Sequence, residues 1–169
     1  MAQCYENLQD YFQTHFYYKK AIDNGNVNAM YSLGKIFENG WGVAKDIKQA
    51  IKLYKEADEK GHKYVMWDIA RCYEELGDFK QAIVYHKIVM DKEKDPIAMR
   101  KLGEYYQKGI GIERNVQMVL KLYHGAAEKW DMEAMFNLGL CYDKGTEVPQ
   151  DYQKALEFYL QAAESGLLQ

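Results

Sequence analysis

The sequence predicts an all-α protein made of repeated antiparallel helix pairs, and three observations carry that prediction. One block of residues recurs at near-constant spacing, and each recurrence is followed by a second, different block. Both blocks place small or apolar residues three and four positions apart, the stripe of an amphipathic helix.

The first block is Ala29-Met30-Tyr31-Ser32-Leu33-Gly34. It returns as Val65-Met66-Trp67-Asp68-Ile69-Ala70, as Ala98-Met99-Arg100-Lys101-Leu102-Gly103 and as Ala134-Met135-Phe136-Asn137-Leu138-Gly139, at intervals of 36, 33 and 36 residues. The second block is Asp46-Ile47-Lys48-Gln49-Ala50 with Tyr54, then Asp78-Phe79-Lys80-Gln81-Ala82 with His86. It continues as Asn115-Val116 with Val119 and Tyr123, and as Asp151-Tyr152-Gln153-Lys154-Ala155 with Tyr159. Ala50, Leu53, Tyr54 and Ala57 show the helical spacing plainly, as do Ala155, Phe158, Tyr159 and Ala162.

Boundaries are written into the chain as well. The Asp or Asn opening each second block is a natural N-cap, because its side-chain oxygen accepts from an orphan N–H of the first turn. Gly25, Gly61 and Gly166 each fall seven residues after the block's aromatic, where a left-handed residue would end the helix. The third full unit has Trp130 at this place, so its exit turn is expected to differ. The expected organisation is one domain over 1–169, with a partial repeat at 1–26 and repeats at about 27–62, 63–95, 96–131 and 132–167.

The long units, with Leu33-Gly34, Phe37, Gly40-x-Gly42-Val43, Asp46, Ala50, Tyr54, Ala57 and Gly61, resemble the Sel1-like repeat. The unit from Lys63 to Asp95 resembles an ordinary tetratricopeptide repeat instead, since Glu74-Glu75-Leu76-Gly77-Asp78-Phe79 joins its helices without the glycine pair. Cys4-Tyr5-Glu6-Asn7-Leu8-Gln9-Asp10-Tyr11 repeats that short form at the start of the chain. The resemblance implies a right-handed α-solenoid that serves as a protein-binding scaffold or adaptor and not as an enzyme.

It also implies that the first helices of successive units line a concave groove. Carried over residue by residue, the groove positions are Asn28, Tyr31 and Lys35; Tyr64, Trp67 and Arg71; Ile97, Arg100 and Glu104; and Glu133, Phe136 and Leu140. Tyr, Trp and Arg predominate at binding hot spots, because they bury much area per rotatable bond or pair bidentately with carboxylates. The ligand expected along Tyr31, Trp67, Arg71 and Arg100 is an extended or helical peptide with an acidic or apolar anchor. The asparagine and lysine pattern of the tetratricopeptide carboxylate clamp does not occur among these positions. Apolar residues at both ends of the array predict packing against further sequence or self-association, since terminal repeats otherwise need a polar outer face.

Composition narrows the alternatives. A net charge of −3 over 169 residues supplies no concentrated basic surface, so neither nucleic acid nor an anionic membrane is an expected partner. Glu104 and Glu133 in the groove argue against a pentatricopeptide-like RNA reader. Neither a signal peptide nor a membrane span is legible, and a cytoplasmic location is expected. Cys4, Cys72 and Cys141 share one register position of the first helix, with partners two repeats and about 20 Å apart, too far for a disulfide. They read as small buried residues, without the disulfide pair that some secreted Sel1-like proteins carry in each repeat.

Ser32-Leu33-Gly34-Lys35 spells the S-x-x-K of penicillin-recognising enzymes, but no Ser-Asp-Asn or Lys-Thr-Gly element accompanies it. Gly40-Trp41-Gly42 and Gly109-Ile110-Gly111 lack the third glycine and the strand of a dinucleotide site, and read as tight inter-helix turns. His15, His62, His86 and His124 show no metal-binding spacing. No catalytic residue, metal or cofactor is therefore expected. A structural segment that positions the domains of a longer polypeptide is the remaining alternative.

Overall fold

The structure, a computed structural model, describes residues 11–63 and 65–167. Among them are nine α-helices and no strand: α1 (Tyr11–Asp23), α2 (Val27–Asn39), α3 (Ile47–Glu59), α4 (Val65–Glu75), α5 (Phe79–Glu93), α6 (Pro96–Lys108), α7 (Val116–Ala127), α8 (Met132–Lys144) and α9 (Tyr152–Leu167). The chain divides into two compact units, Met1–Tyr85 and His86–Gln169.

The second helices α3, α5, α7 and α9 start where their cap residues predict, while the cap position of α1 lies outside the described residues. Asp46 accepts from the Gln49 N–H at 2.9 Å, Asp78 from Gln81 at 3.2 Å, Asn115 from Met118 at 3.0 Å and Asp151 from Lys154 at 3.1 Å. The first helices α2, α6 and α8 are capped alike, by Asn26, Asp95 and Asp131 on the N–H groups of Ala29, Ala98 and Ala134. Gly42 and Gly111 lie at φ 68° and 69°, as tight loops between helices require.

Two expectations for the exit turns need correction. Gly166 does not end its helix, because α9 continues to Leu167 and Gly166 lies inside it. Trp130 does not change its turn: it adopts φ 65°, beside 80° at Gly25 and 85° at Gly61. Its N–H reaches Ala127 O at 2.9 Å and the next N–H reaches Ala126 O at 3.1 Å, as Gly61 and His62 reach Asp58 and Ala57. The hydrogen-bonded turn sets the backbone conformation there, and the tryptophan conforms to it.

In the first unit Met30, Ile47, Ala50, Ile51, Tyr54, Ala57, Val65, Ile69 and Cys72 form one buried cluster, which joins α2, α3 and α4. Val119, Tyr123, Leu138 and Cys141 join α7 and α8 in the second unit. Helix pairs approach closely at one point, where Gly34, Gly103 and Gly139 face Tyr54, Tyr123 and Tyr159. A Cβ on any of these glycines would lie 2.5 Å from the ring's Cε1, far inside van der Waals contact. The tyrosine hydroxyl is held from the far side: Tyr54 donates to Glu38 Oε2 at 2.6 Å and Tyr123 to Gln107 Oε1 at 3.0 Å. The sequence pairs Ala70 with His86 at these two register positions in the Lys63–Asp95 unit, where the aromatic is smaller.

Candidate partner-binding face

In the first unit, the packing stripe of α2 is buried at Ala29, Met30, Leu33 and Gly34, which leaves Asn28 exposed and Tyr31 and Lys35 half-buried. Trp67 is half-buried and Arg71 exposed on α4, while Tyr64 lies outside the described residues. Tyr31 is largely taken up by packing. Its ring stacks on His62 with centroids 4.6 Å apart, meets Tyr54 at 5.6 Å and has Lys35 Nζ over it at 5.6 Å.

The two cations are tied to carboxylates that the groove positions do not include. Lys35 Nζ donates to Asp68 Oδ1 at 2.6 Å and lies 3.5 Å from Glu38 Oε2. Arg71 gives Nε and Nη2 to Glu38 Oε1 at 2.9 and 2.5 Å, and Nη2 also to Asp68 Oδ1 at 2.8 Å. Glu38 and Asp68 are themselves buried. Burial disfavours the charge on Glu38, but the Tyr54 hydroxyl, Lys35 and Arg71 together outweigh it and hold this carboxyl below the usual range.

Two cations and two carboxylates leave this cluster neutral, so it exerts no net pull on an acidic peptide. The Arg71 side chain stays 54% exposed, with one edge fixed on Glu38 and Asp68. It is therefore presented in a set orientation, and little rotamer freedom remains to be lost on binding. The same network occupies the lysine of the Ser32-x-x-Lys35 motif. Against the cost of its burial, the hydrogen bond and charge of Asp68 raise the Lys35 pKa, the direction opposite to the one a general base needs.

In the second unit Arg100 does not offer itself to a ligand. Its side chain is 11% exposed and enclosed by carboxylates: Asp131 at 3.0 Å, Glu104 at 2.8 Å and Glu133 at 2.7 Å. Asp131 is also the N-cap of α8, so Arg100 ties α6 to the start of α8. What this face offers outward is apolar and acidic. Phe136 is 50% exposed, Ile97 is exposed, Leu140 half-buried and Glu133 exposed. Phe136 leans on Tyr159 with centroids 5.4 Å apart, so its inner edge is fixed and its outer face open. A second inter-repeat tie joins Arg114 to the buried Glu147 at 3.0 Å, as Lys45 joins Glu75 in the first unit.

The sequence reading missed Glu38, Asp68, Asp131 and Glu147, the anions that hold these cations. One signal was present: Glu38, Glu74, Gln107 and Asp143 occupy one register column at intervals of 36, 33 and 36. Cys72 and Cys141 are free and buried. Burial pushes their thiols up to about 12 and about 11, with nearby Glu38 and Glu147 adding to the effect.

Stacked helix pairs bound by capped turns and inter-repeat ion pairs define a helical-repeat solenoid, a class that generally serves protein–protein interaction and is typically non-enzymatic. The Sel1 repeat matches residues 1–26, 27–62, 96–129 and 133–167, and the tetratricopeptide repeat matches 64–91; the chain belongs to the Sel1 repeat family. Among solved structures it is similar to a Sel1 repeat protein from Oxalobacter formigenes, at 26% identity and a TM-score of 0.74 over 98% of this chain and 69% of that one. A protective antigen of uropathogenic Escherichia coli strains, c5321, displays the same fold at 24% identity and a TM-score of 0.68 over 93% of this chain. The match spans only 36% of that antigen. YrrB, a tetratricopeptide protein with an unusual peptide-binding site, superimposes with a TM-score of 0.62 at 18% identity, over 97% of this chain and 82% of that one. No helix among the described residues is long and apolar enough to cross a membrane.

Proposed function

We propose that this chain is an adaptor that binds a partner protein through the exposed faces of its first helices. The observation that carries the reading is the aromatic Phe136, held on one edge by Tyr159 and half-exposed on the other, with Ile97 exposed on α6 of the same unit. Trp67 and the oriented Arg71 provide the corresponding face in the first unit. Asn28, Tyr31, Lys35, Tyr64, Glu104 and Leu140 would border these anchors. The favoured ligand is a segment with apolar anchors, because the charge clusters are neutral at Lys35 and Arg71 and acidic around Arg100. A fold shared with a peptide-binding tetratricopeptide protein accords with this, and the buried free thiols accord with a reducing, cytoplasmic setting. An array of immobilised peptides tests the reading. Binding should concentrate on sequences with spaced apolar residues and fall when Phe136→Asp is introduced; an unchanged pattern would sink it.

A second reading rests on α9. Tyr152, Leu156 and Leu160 are exposed there, whereas Ile47 and Ile51, at the first two of these register positions in α3, are buried against the following repeat. A second copy of the chain docking on this stripe would continue the same inter-repeat interface. Sedimentation equilibrium should show a dimer that dissociates in Leu156→Asp/Leu160→Asp; a parent that stays monomeric at high concentration removes this reading.

A further inference from the structure

Trp130 breaks two local preferences together. It stands in the left-handed region, φ 65°, in a turn whose hydrogen bonds match those at Gly25 and Gly61, where glycine has no steric penalty. Its indole is also 71% exposed, so it contributes little to the core. Glycine would relieve the backbone and remove the exposed ring. What the ring does supply is one wall of a cleft of about 360 Å³, lined by Ala127, Glu128, Trp130, Met135, Gln161 and Glu164.

The chemistry of that lining is specific. Met135 is buried and Ala127 half-buried, both apolar, while Glu128 and Glu164 are exposed carboxylates. No Lys or Arg lines the cleft. A lining that combines an aromatic ring, two carboxylates and apolar surface suits a long aliphatic stem that ends in a positive charge. The glycine-bearing exit turns have no side chain to build such a wall.

We propose that this cleft binds an arginine or lysine side chain of a partner polypeptide, with its charged head over the Trp130 ring between Glu128 and Glu164 and its stem on Met135 and Ala127. The site is separate from the first-helix face and does not depend on it, so the two can engage different parts of one partner. Strain at Trp130 is then retained for recognition, the setting in which sparsely populated backbone conformations persist.

The test follows the Trp130 indole N–H by nitrogen-15 NMR while the capped tripeptide acetyl-Leu-Arg-Leu-amide is added, with acetyl-Leu-Glu-Leu-amide as control. The expected result is a saturable shift with the arginine peptide only, at a weak Kd on the order of 1 mM. Affinity, read from the Met135 methyl, should fall about three- to fivefold in Trp130→Gly and in Glu128→Gln/Glu164→Gln, the range of an exposed cation–π or ion-pair contact. Trp130→Gly should keep the parent's circular dichroism, since the turn already has a glycine's geometry. An equal response to the glutamate peptide, the absence of a saturable shift, or unchanged affinity in folded variants would overturn the proposal.

Discussion

Replacing Glu38 by Gln tests the account of the charge cluster most sharply. The carboxylate accepts from Tyr54 at 2.6 Å and from Arg71 at 2.9 and 2.5 Å, and lies 3.5 Å from Lys35. A hydrogen bond to a charged group contributes about 1.5–3 kcal/mol. Gln retains one acceptor oxygen, Lys35 and Arg71 retain Asp68, and solvent screens the half-exposed Arg71, so the net loss should be about 2 kcal/mol. The sign with pH follows from the direction of the shift. The folded carboxyl titrates below its ordinary 4.5, so its stabilisation is present above that value and disappears as pH falls through the folded pKa. Urea unfolding followed by circular dichroism, from neutral pH into acid, should show the gap between parent and Glu38→Gln narrowing below pH 4.5, as pH falls toward the folded pKa. A gap below about 0.5 kcal/mol at pH 7, or one that stays constant into acid, would refute the reasoning.

Two further outcomes follow from the packing. Gly103→Ala places a methyl 2.5 Å from the Tyr123 ring. Overpacking of about 1–3 kcal/mol, less roughly 1 kcal/mol of improved helix propensity, predicts a net loss of about 0–2 kcal/mol in the same urea assay. Cys72 and Cys141, with thiols pushed up to about 12 and about 11, should resist a disulfide reagent at about pH 8 in the native protein. Both should react at once in denaturant; a Cys4→Ser background keeps the third thiol out of the readout.

The helices and most of their ends were legible because they depend on local chemistry: a cap residue such as Asp46 and a stripe such as Ala50, Leu53, Tyr54 and Ala57 act within one helix. The pairing of Gly34 with Tyr54 was visible only as two repeated letters. Its cause, a ring that fills the space of an absent Cβ, belongs to helix packing. Charge partners were the least legible part. Lys35 with Asp68 and Arg100 with Asp131 are 33 and 31 residues apart, separations that only the stacking of one repeat on the next brings within hydrogen-bond reach. Arg100 consequently read as a groove contact, whereas the structure encloses it as an inter-repeat tie. Trp130 read as a disturbed turn because side-chain preference was weighed above the hydrogen bonds that hold the backbone.

The most direct measurement of the central claim is the affinity, by isothermal titration calorimetry, of the strongest peptide ligand for paired variants within the proposed binding face and outside it. Phe136→Asp and Trp67→Ala remove the proposed anchors on the first helices, and Lys48→Asp and Lys121→Asp alter exposed positions of the second helices α3 and α7. Loss of a hot-spot aromatic costs 2 kcal/mol or more, so the first pair should weaken binding by about thirtyfold while the second leaves it within about twofold. Equal affinities across all four, or weakening confined to Lys48→Asp and Lys121→Asp, would place the partner on another surface and contradict the account.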